Sequence, residues 1–142
     1  MSERDELLGQ IDELMAGLFE RVRAEPAAAL AVRPEPDVWS VIENVRHLLY
    51  AEERHVARIC VDGFAYSATG MPTNGQPRRN GAGTESTDDL ERVLSTWDTV
   101  HEQVRSALGS DGAAVRALER NLGHLRQHVR AIGRLLDAEA GG

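Results

Sequence analysis

The sequence predicts an all-α protein, a bundle of four helices, and three observations support this class. Ala, Leu, Glu and Arg, which favour helices, dominate the composition, whereas aromatic residues make up only 4%. Four segments carry apolar residues at spacings of three and four, the period of one buried helix face. Stretches rich in Pro and Gly separate these segments. At 142 residues, the chain is expected to form a single domain over residues 1–142.

The first two helices have recognisable boundaries. The first is predicted from about Ser2 to Glu25, and a connection with several prolines follows it. The second begins at Ser40, because Ser40 and Glu43 have the spacing of a capping box, in which each side chain satisfies a backbone N–H. Its pattern continues to Gly63.

The third and fourth helices follow a long irregular stretch. The third starts near Ser86 or Thr87, which are both common N-cap residues. The fourth runs from about Ala113 to Ala138. Only the turn at residues 109–112 lies between them, and such a short connection predicts antiparallel neighbours.

Residues 63–86 carry no apolar periodicity and are rich in Gly and Pro. A loop this long in a small domain is usually functional or disordered. Arg78 and Arg79 are candidates to meet an anionic thiol or acid, and the alternative is that both lie in a solvated loop.

The second helix is apolar on more than one side. Ile42 and Leu49 lie well around the helix from His47. A helix of this kind is either central in the bundle or in contact with another subunit. The second alternative predicts a homodimer.

Composition excludes several classes of function. The net charge of −7 disfavours a nucleic-acid partner, because such a surface repels phosphates. All sixteen basic residues are Arg, so there is no lysine for a Schiff base or a P-loop. No apolar run is long enough to span a membrane, and no signal peptide is recognisable. With Cys60 as the single cysteine, we expect no intrachain disulfide and a cytoplasmic location.

The spacing of the histidines is the strongest functional signal. His124 and His128 lie four apart in the fourth helix, which places their Cβ atoms about 5–6 Å apart on one face. His47, in the second helix, is a candidate third ligand. Three protein ligands leave a coordination position open for water or substrate, as in catalytic zinc sites. The alternative is that these histidines are partly exposed polar residues.

The two other histidines are rivals for this role. His101 falls within the apolar stripe of the third helix, where it is either a hydrogen-bonded core histidine or a substitute ligand. His55 lies two turns after His47 on a similar face, and its neighbours Arg54 and Arg58 indicate a solvated edge. For both histidines we favour a structural or surface role.

Two segments resemble a known family. Residues 39–48, which contain Trp39-Ser40-Val41, Glu43, Val45 and His47-Leu48, resemble the N-terminal signature of DinB-like proteins. His124-x-x-x-His128, followed by Ile132, resembles the C-terminal motif of that family. The resemblance implies an up-down-down-up four-helix bundle, often dimeric, in which His47, His124 and His128 bind a divalent metal.

The resemblance also implies a class of activity. Family members with known activity are mostly thiol-dependent S-transferases and a mycothiol-dependent maleylpyruvate isomerase. We therefore expect a small-molecule substrate, zinc or nickel as the metal, and mycothiol or another low-molecular-weight thiol as co-substrate. The alternative is a non-catalytic metal-binding or interaction protein. Val129-Arg130-Ala131 follows the last histidine where the family often has Gly-Gln, which leaves the particular activity open.

The sequence does not identify catalytic residues beside the metal ligands. Neutral imidazoles leave the full charge on a bound ion, which then activates water or a thiol. Three residues near the ligands are candidates to orient them, with helix-surface positions as the alternative. They are Asn44, Glu52 and Asn121.

Overall fold

A computed structural model describes residues 2–35, 38–67, 69 and 87–141. Within these ranges the chain is helical and has no strand, so the predicted all-α class is confirmed. Most of the predicted 63–86 loop, with Arg78 and Arg79, lies outside the described residues. The elements are α1 (Glu3–Arg23), α2 (Ala27–Ala31), α3 (Val41–Glu52), a π-helical turn (Glu53–Ala57), α4 (Arg58–Cys60), α5 (Thr87–Ala107) and α6 (Gly112–Gly141).

The beginnings of α1 and α3 agree with the sequence prediction. The Ser2 side chain accepts a hydrogen bond from the backbone N–H of Asp5 at 3.1 Å. Ser40 and Glu43 form both hydrogen bonds of the predicted capping box. The short helix α2 was not predicted, because the alanines that form it lie in a connection punctuated by prolines. Propensity within such a short segment gives a weak signal.

Side-chain contacts fix the direction of α1 relative to α5. Near the beginning of α1, Arg4 donates hydrogen bonds to the backbone carbonyls of Arg105 and Leu108, at the end of α5. Near the end of α1, Arg23 pairs with Glu91, in the first turns of α5. The two helices are therefore antiparallel.

Contacts with α6 complete the topology. Gln10 pairs with Arg126 and Arg21 with Asp137, so α1 and α6 are parallel. The helices α3 and α6 are antiparallel, because His47 contacts His128 whereas Glu52, later in α3, bonds Asn121, earlier in α6. The long helices α1, α3, α5 and α6 therefore run up, down, down and up, as the resemblance implied.

The helix α3 is central in the bundle. Apolar residues on both of its sides are buried, including Ile42, Leu48 and Leu49 at 0% exposure. It contacts both α5 and α6, which accounts for its two-sided apolarity within one chain. The homodimer therefore stays a prediction. Among the described helices, none is long and apolar enough to cross a membrane.

Candidate metal centre

Three histidines converge where α3 passes α6. The ring centroids of His47 and His124 are 5.4 Å apart, those of His47 and His128 5.0 Å, and those of His124 and His128 4.4 Å. One ring nitrogen from each residue lies within 4.8 Å of the other two. All three side chains are half-buried. The structure thus brings together the three residues predicted from spacing and resemblance.

The start of α3 is held firmly, and this positions His47 one turn further along. Arg33 makes two hydrogen bonds to the carboxylate of Glu43, at 2.8 and 2.5 Å, in a pair that is almost fully buried. Burial alone would raise the pKa of Glu43, but the hydrogen bonds from Arg33 and from the Ser40 backbone lower it below its ordinary value. Glu43 therefore remains a carboxylate, and it both caps the helix and binds Arg33.

The electrostatics of the site favour neutral imidazoles at His124 and His128. Burial, followed by the neighbouring His128, His47 and His55, lowers the pKa of His124 to about 4. Burial and the nearby His47 likewise lower the pKa of His128. A neutral imidazole has a free lone pair, which is the form that coordinates a metal. The donor set therefore fits a divalent ion that accepts nitrogen ligands, such as zinc or nickel.

Aromatic side chains line one side of the site. The ring of Trp39 lies 5.1 Å from that of His47, and Tyr50 stacks beside His47 at 6.3 Å. Tyr66, in the segment that follows α4, stacks on Tyr50 at 5.7 Å. This segment is held against the π-helical turn because the backbone N–H of Ser67 donates to the buried carboxylate of Glu53 at 2.7 Å.

His55 lies beside the triad. Its ring is half-buried and 5.5 Å from that of His124. In a regular helix, eight residues would leave His55 about 80° around the axis from His47. The π-helical turn, Glu53–Ala57, accommodates an additional residue and reduces that offset. Sequence periodicity alone gives no sign of such a turn.

His101 belongs to a different cluster. Its Nδ1 lies 2.7 Å from a carboxylate oxygen of Glu52, and its Nε2 lies 2.6 Å from Asp12. The ring also stacks on Trp97, with 4.4 Å between centroids. Of the two alternatives left open by the sequence, the structure supports the hydrogen-bonded core histidine. Asp12 also pairs with Arg105.

The three polar residues near the ligands are buried, so the helix-surface alternative is wrong for them. Glu52 and Asn121 are 0% exposed, and the Asn121 amide donates to Glu52 at 2.7 Å. Asn44 donates to the backbone carbonyl of Ser40 at 2.9 Å. The thiol of Cys60 is half-buried, and burial raises its pKa, which makes it a poor nucleophile.

Fold and site together define an all-α bundle with a three-histidine cluster at the crossing of two antiparallel helices. A family model described as the DinB superfamily matches residues 10–132, a span that includes all three histidines. The chain belongs to the DinB superfamily, a group that is typically metal-binding. Comparison with curated proteins and with solved structures gave no significant match.

Proposed function

We propose that this chain is a divalent-metal-dependent enzyme in which His47, His124 and His128 hold the ion, with zinc or nickel as the metal. One observation carries the proposal: three half-buried imidazoles from two helices offer nitrogens within 4.8 Å of one another. No carboxylate joins this group among the described residues. A neutral donor set leaves the charge of the ion intact.

The residues around the triad support a small organic substrate. When bound, the metal would lower the pKa of a thiol or water molecule at its open position. Trp39 and Tyr50 flank His47 and offer flat apolar surfaces. A low-molecular-weight thiol, such as mycothiol, fits this chemistry as co-substrate, and the reaction would be S-transfer or isomerisation. We keep a homodimer and a cytoplasmic location as parts of this proposal.

A second candidate is a metal-binding or interaction protein without catalysis. The observation that favours it is that two glutamates at the end of α3 and just after it already hydrogen-bond other residues. Glu52 is bonded to His101 and Asn121, and Glu53 is bonded to Ser67. Both glutamates are 0% exposed, so neither of them is available as a general base. A divalent ion held by the three histidines would itself supply the charge that favours a thiolate, so the chemistry would need no general base, which is why we place the enzyme first.

Metal analysis tests the first part of the proposal. We expect the purified, zinc-saturated protein to hold one equivalent of metal, with imidazole ligands visible by X-ray absorption. His124→Ala should lose this equivalent at the same zinc concentration. His101→Gln is the comparison variant, since it removes a buried histidine outside the proposed ligands and should still hold one equivalent at saturating zinc. Equal metal content in His124→Ala and the wild type would refute the assignment.

Turnover then separates the two candidates. The metal-loaded protein is mixed with a panel of low-molecular-weight thiols, including mycothiol, and electrophilic acceptors. Thiol consumption that disappears in His124→Ala supports the enzyme. A stoichiometric metal site with no turnover across the panel supports the non-catalytic candidate instead.

A further inference from the structure

A series of hydrogen-bonded polar side chains leads from Asp12 on α1 to Asn121 on α6. Asp12 and Glu52 hold the two nitrogens of His101, and Glu52 accepts a second hydrogen bond from Asn121. His101, Glu52 and Asn121 are at most 5% exposed. Asn121 lies three residues before His124 on α6, and such positions are neighbours on one helix face.

Two buried polar atoms lie at the inner end of this series without a partner. Among the described residues, neither Oδ1 of Asn121 nor Nδ1 of His124 has a hydrogen-bond partner. A buried polar atom without a partner is costly and rare in folded proteins. One of these two atoms is an acceptor, and the other donates whenever it carries the imidazole proton. The two atoms are therefore chemically complementary, although they do not hydrogen-bond each other in this structure.

The chemistry of Glu52 decides which way the Asn121 amide points. A carboxylate only accepts hydrogen bonds, so the Asn121 group that faces Glu52 must be the NH₂ group. The amide oxygen is then left for the side toward His124. This orientation follows from the partner rather than from an observed hydrogen, which makes it a chemical assignment.

The protonation of His101 supports the role of Glu52 as a hydrogen-bond acceptor. Although burial alone would lower the pKa of His101, the hydrogen bond to Glu52 and the charges of Glu52 and Asp12 raise it above its ordinary value. A protonated imidazole donates from both nitrogens. It therefore donates to Glu52 from one side while Asn121 donates from the other, and Glu52 accepts from both.

We propose that Asn121, oriented by Glu52, accepts the Nδ1–H of His124 and thereby fixes Nε2 as the nitrogen that binds the metal. Asn121 and Glu52 are thus positioning residues for a ligand. Metal-bound histidines generally donate their other N–H to an oxygen acceptor, which sets the tautomer and the ring orientation. The inference rests on the proposed metal centre and names the residues that align one of its ligands.

Metal affinity measured against a competing chelator tests this role. In the zinc-loaded full chain, Asn121→Leu should weaken zinc binding by about 10–100-fold, the usual cost of a lost outer partner. Asn44→Leu is the matched control, because Asn44 is also a buried asparagine three residues before a triad histidine. Its amide donates to a backbone carbonyl. We expect zinc affinity close to that of the wild type in this control.

An exchange of donor and acceptor gives a sharper test. Glu52→Gln alone allows the Asn121 amide to turn and present NH₂ to His124, and Asn121→Asp alone faces one buried carboxylate with another. Each single variant should weaken zinc binding. The double variant should restore it, because the new amide at position 52 donates to the new carboxylate at position 121, which in turn accepts from His124. If Asn121 and Glu52 merely supported folding, the double variant would not be expected to regain zinc affinity.

Nitrogen-15 NMR of the imidazoles provides a readout that does not depend on affinity. Zinc-bound wild type should show His124 protonated at Nδ1, and that proton should exchange faster with water in Asn121→Leu. If the wild type binds zinc but Asn121→Leu changes neither affinity nor proton exchange, the inference fails and the metal centre stands. If a variant of His55 alone causes both changes, His55 is the partner and the inference also fails. If the wild type binds no metal, both proposals fail.

Discussion

His124 is half-buried and His101 is buried, and their neighbours give them opposite properties. His124 lies among other imidazoles, and burial together with these neighbours lowers its pKa to about 4. His101 lies between two carboxylates, and despite its burial their hydrogen bonds and charges raise its pKa. One environment preserves a lone pair for a metal, whereas the other stabilises a cation. The surroundings, rather than the residue type, separate a candidate ligand from a structural ion pair.

The difference also determines what each cluster contributes to the fold. The His101 cluster joins α1, α3, α5 and α6 through ionic hydrogen bonds. The triad lies beside the rings of His55, Trp39 and Tyr50, and no described carboxylate lies within its set of ligand atoms. We therefore expect the His101 cluster to stabilise the fold without metal, and the triad to add substantially to stability only when metal is bound.

The largest effect is expected from His101→Ala in the metal-free protein. Removing this imidazole leaves the fully buried carboxylate of Glu52 without its cationic partner. Breaking a buried pair in this way costs about 3–5 kcal/mol of unfolding free energy. His124→Ala should cost about 1 kcal/mol or less, because it leaves no buried charge behind. Urea unfolding measures both, and equal losses would contradict the distinction between the two clusters.

Bound metal should raise the contribution of the triad to about that of the His101 cluster. Zinc at about 100 times its dissociation constant should raise the unfolding free energy of the wild type by about 2.7 kcal/mol. His128→Ala should show no such rise at the same concentration, since two imidazoles remain in place of three. His101→Gln should still be stabilised by zinc. Thermal melts with zinc and with chelator provide the measurement, and a full rise in His128→Ala would place the ion elsewhere.

The raised pKa of His101 predicts how stability depends on pH in the metal-free protein. The folded chain holds this proton more tightly than the unfolded chain, so the contribution is complete below the ordinary pKa of about 6.5. It is lost as pH rises through the raised pKa, and each tenfold difference in proton affinity between the two states corresponds to about 1.4 kcal/mol. The groups facing His101 are Glu52, Asp12 and Trp97.

Urea unfolding at a series of pH values checks whether the stabilisation by His101 falls as pH rises. The stability difference between wild type and His101→Gln should shrink as pH rises above about 6.5. His124→Ala is the control and should keep the decline seen in the wild type. A difference between wild type and His101→Gln that grows with pH would show that the imidazole is neutral in the fold.

The sequence predicted those parts of the molecule that depend on neighbours along the chain. Helix periodicity, the Ser40–Glu43 capping box and the His124–His128 spacing are all local, and the structure contains each of them. The third histidine, His47, comes from a separate helix. Its position in a helix made it a candidate, but only the resemblance to the DinB-like family assigned it to the metal triad, because spacing alone does not show which distant residues meet.

What the sequence missed depends on packing between helices. Glu52 meets His101 from 49 positions away and Asn121 from 69, so no local pattern indicates that this glutamate is buried. The π-helical turn that brings His55 beside His124 has no periodic signature either. A capping motif or an amphipathic stripe is detectable within one helix, but the protonation of His101 is set only after three helices assemble.

The smallest expected effect comes from the outer end of the same cluster. The Asp12 side chain is 41% exposed, whereas that of Glu52 is 0% exposed, although both contact the His101 ring. Water screens the exposed partner, so Asp12→Asn should cost only about 0.2–1 kcal/mol of unfolding free energy, even though it also loses Arg105. Glu52→Gln should cost more, because its charge is shielded from water. NMR titration should show a smaller fall in the pKa of His101 for Asp12→Asn than for Glu52→Gln. Suppose that Asp12→Asn and Glu52→Gln lost the same unfolding free energy and lowered the pKa of His101 equally. The burial of Glu52 would then have no effect on its interaction with His101. The charge of the carboxylates alone would distinguish the surroundings of His101 from those of the triad.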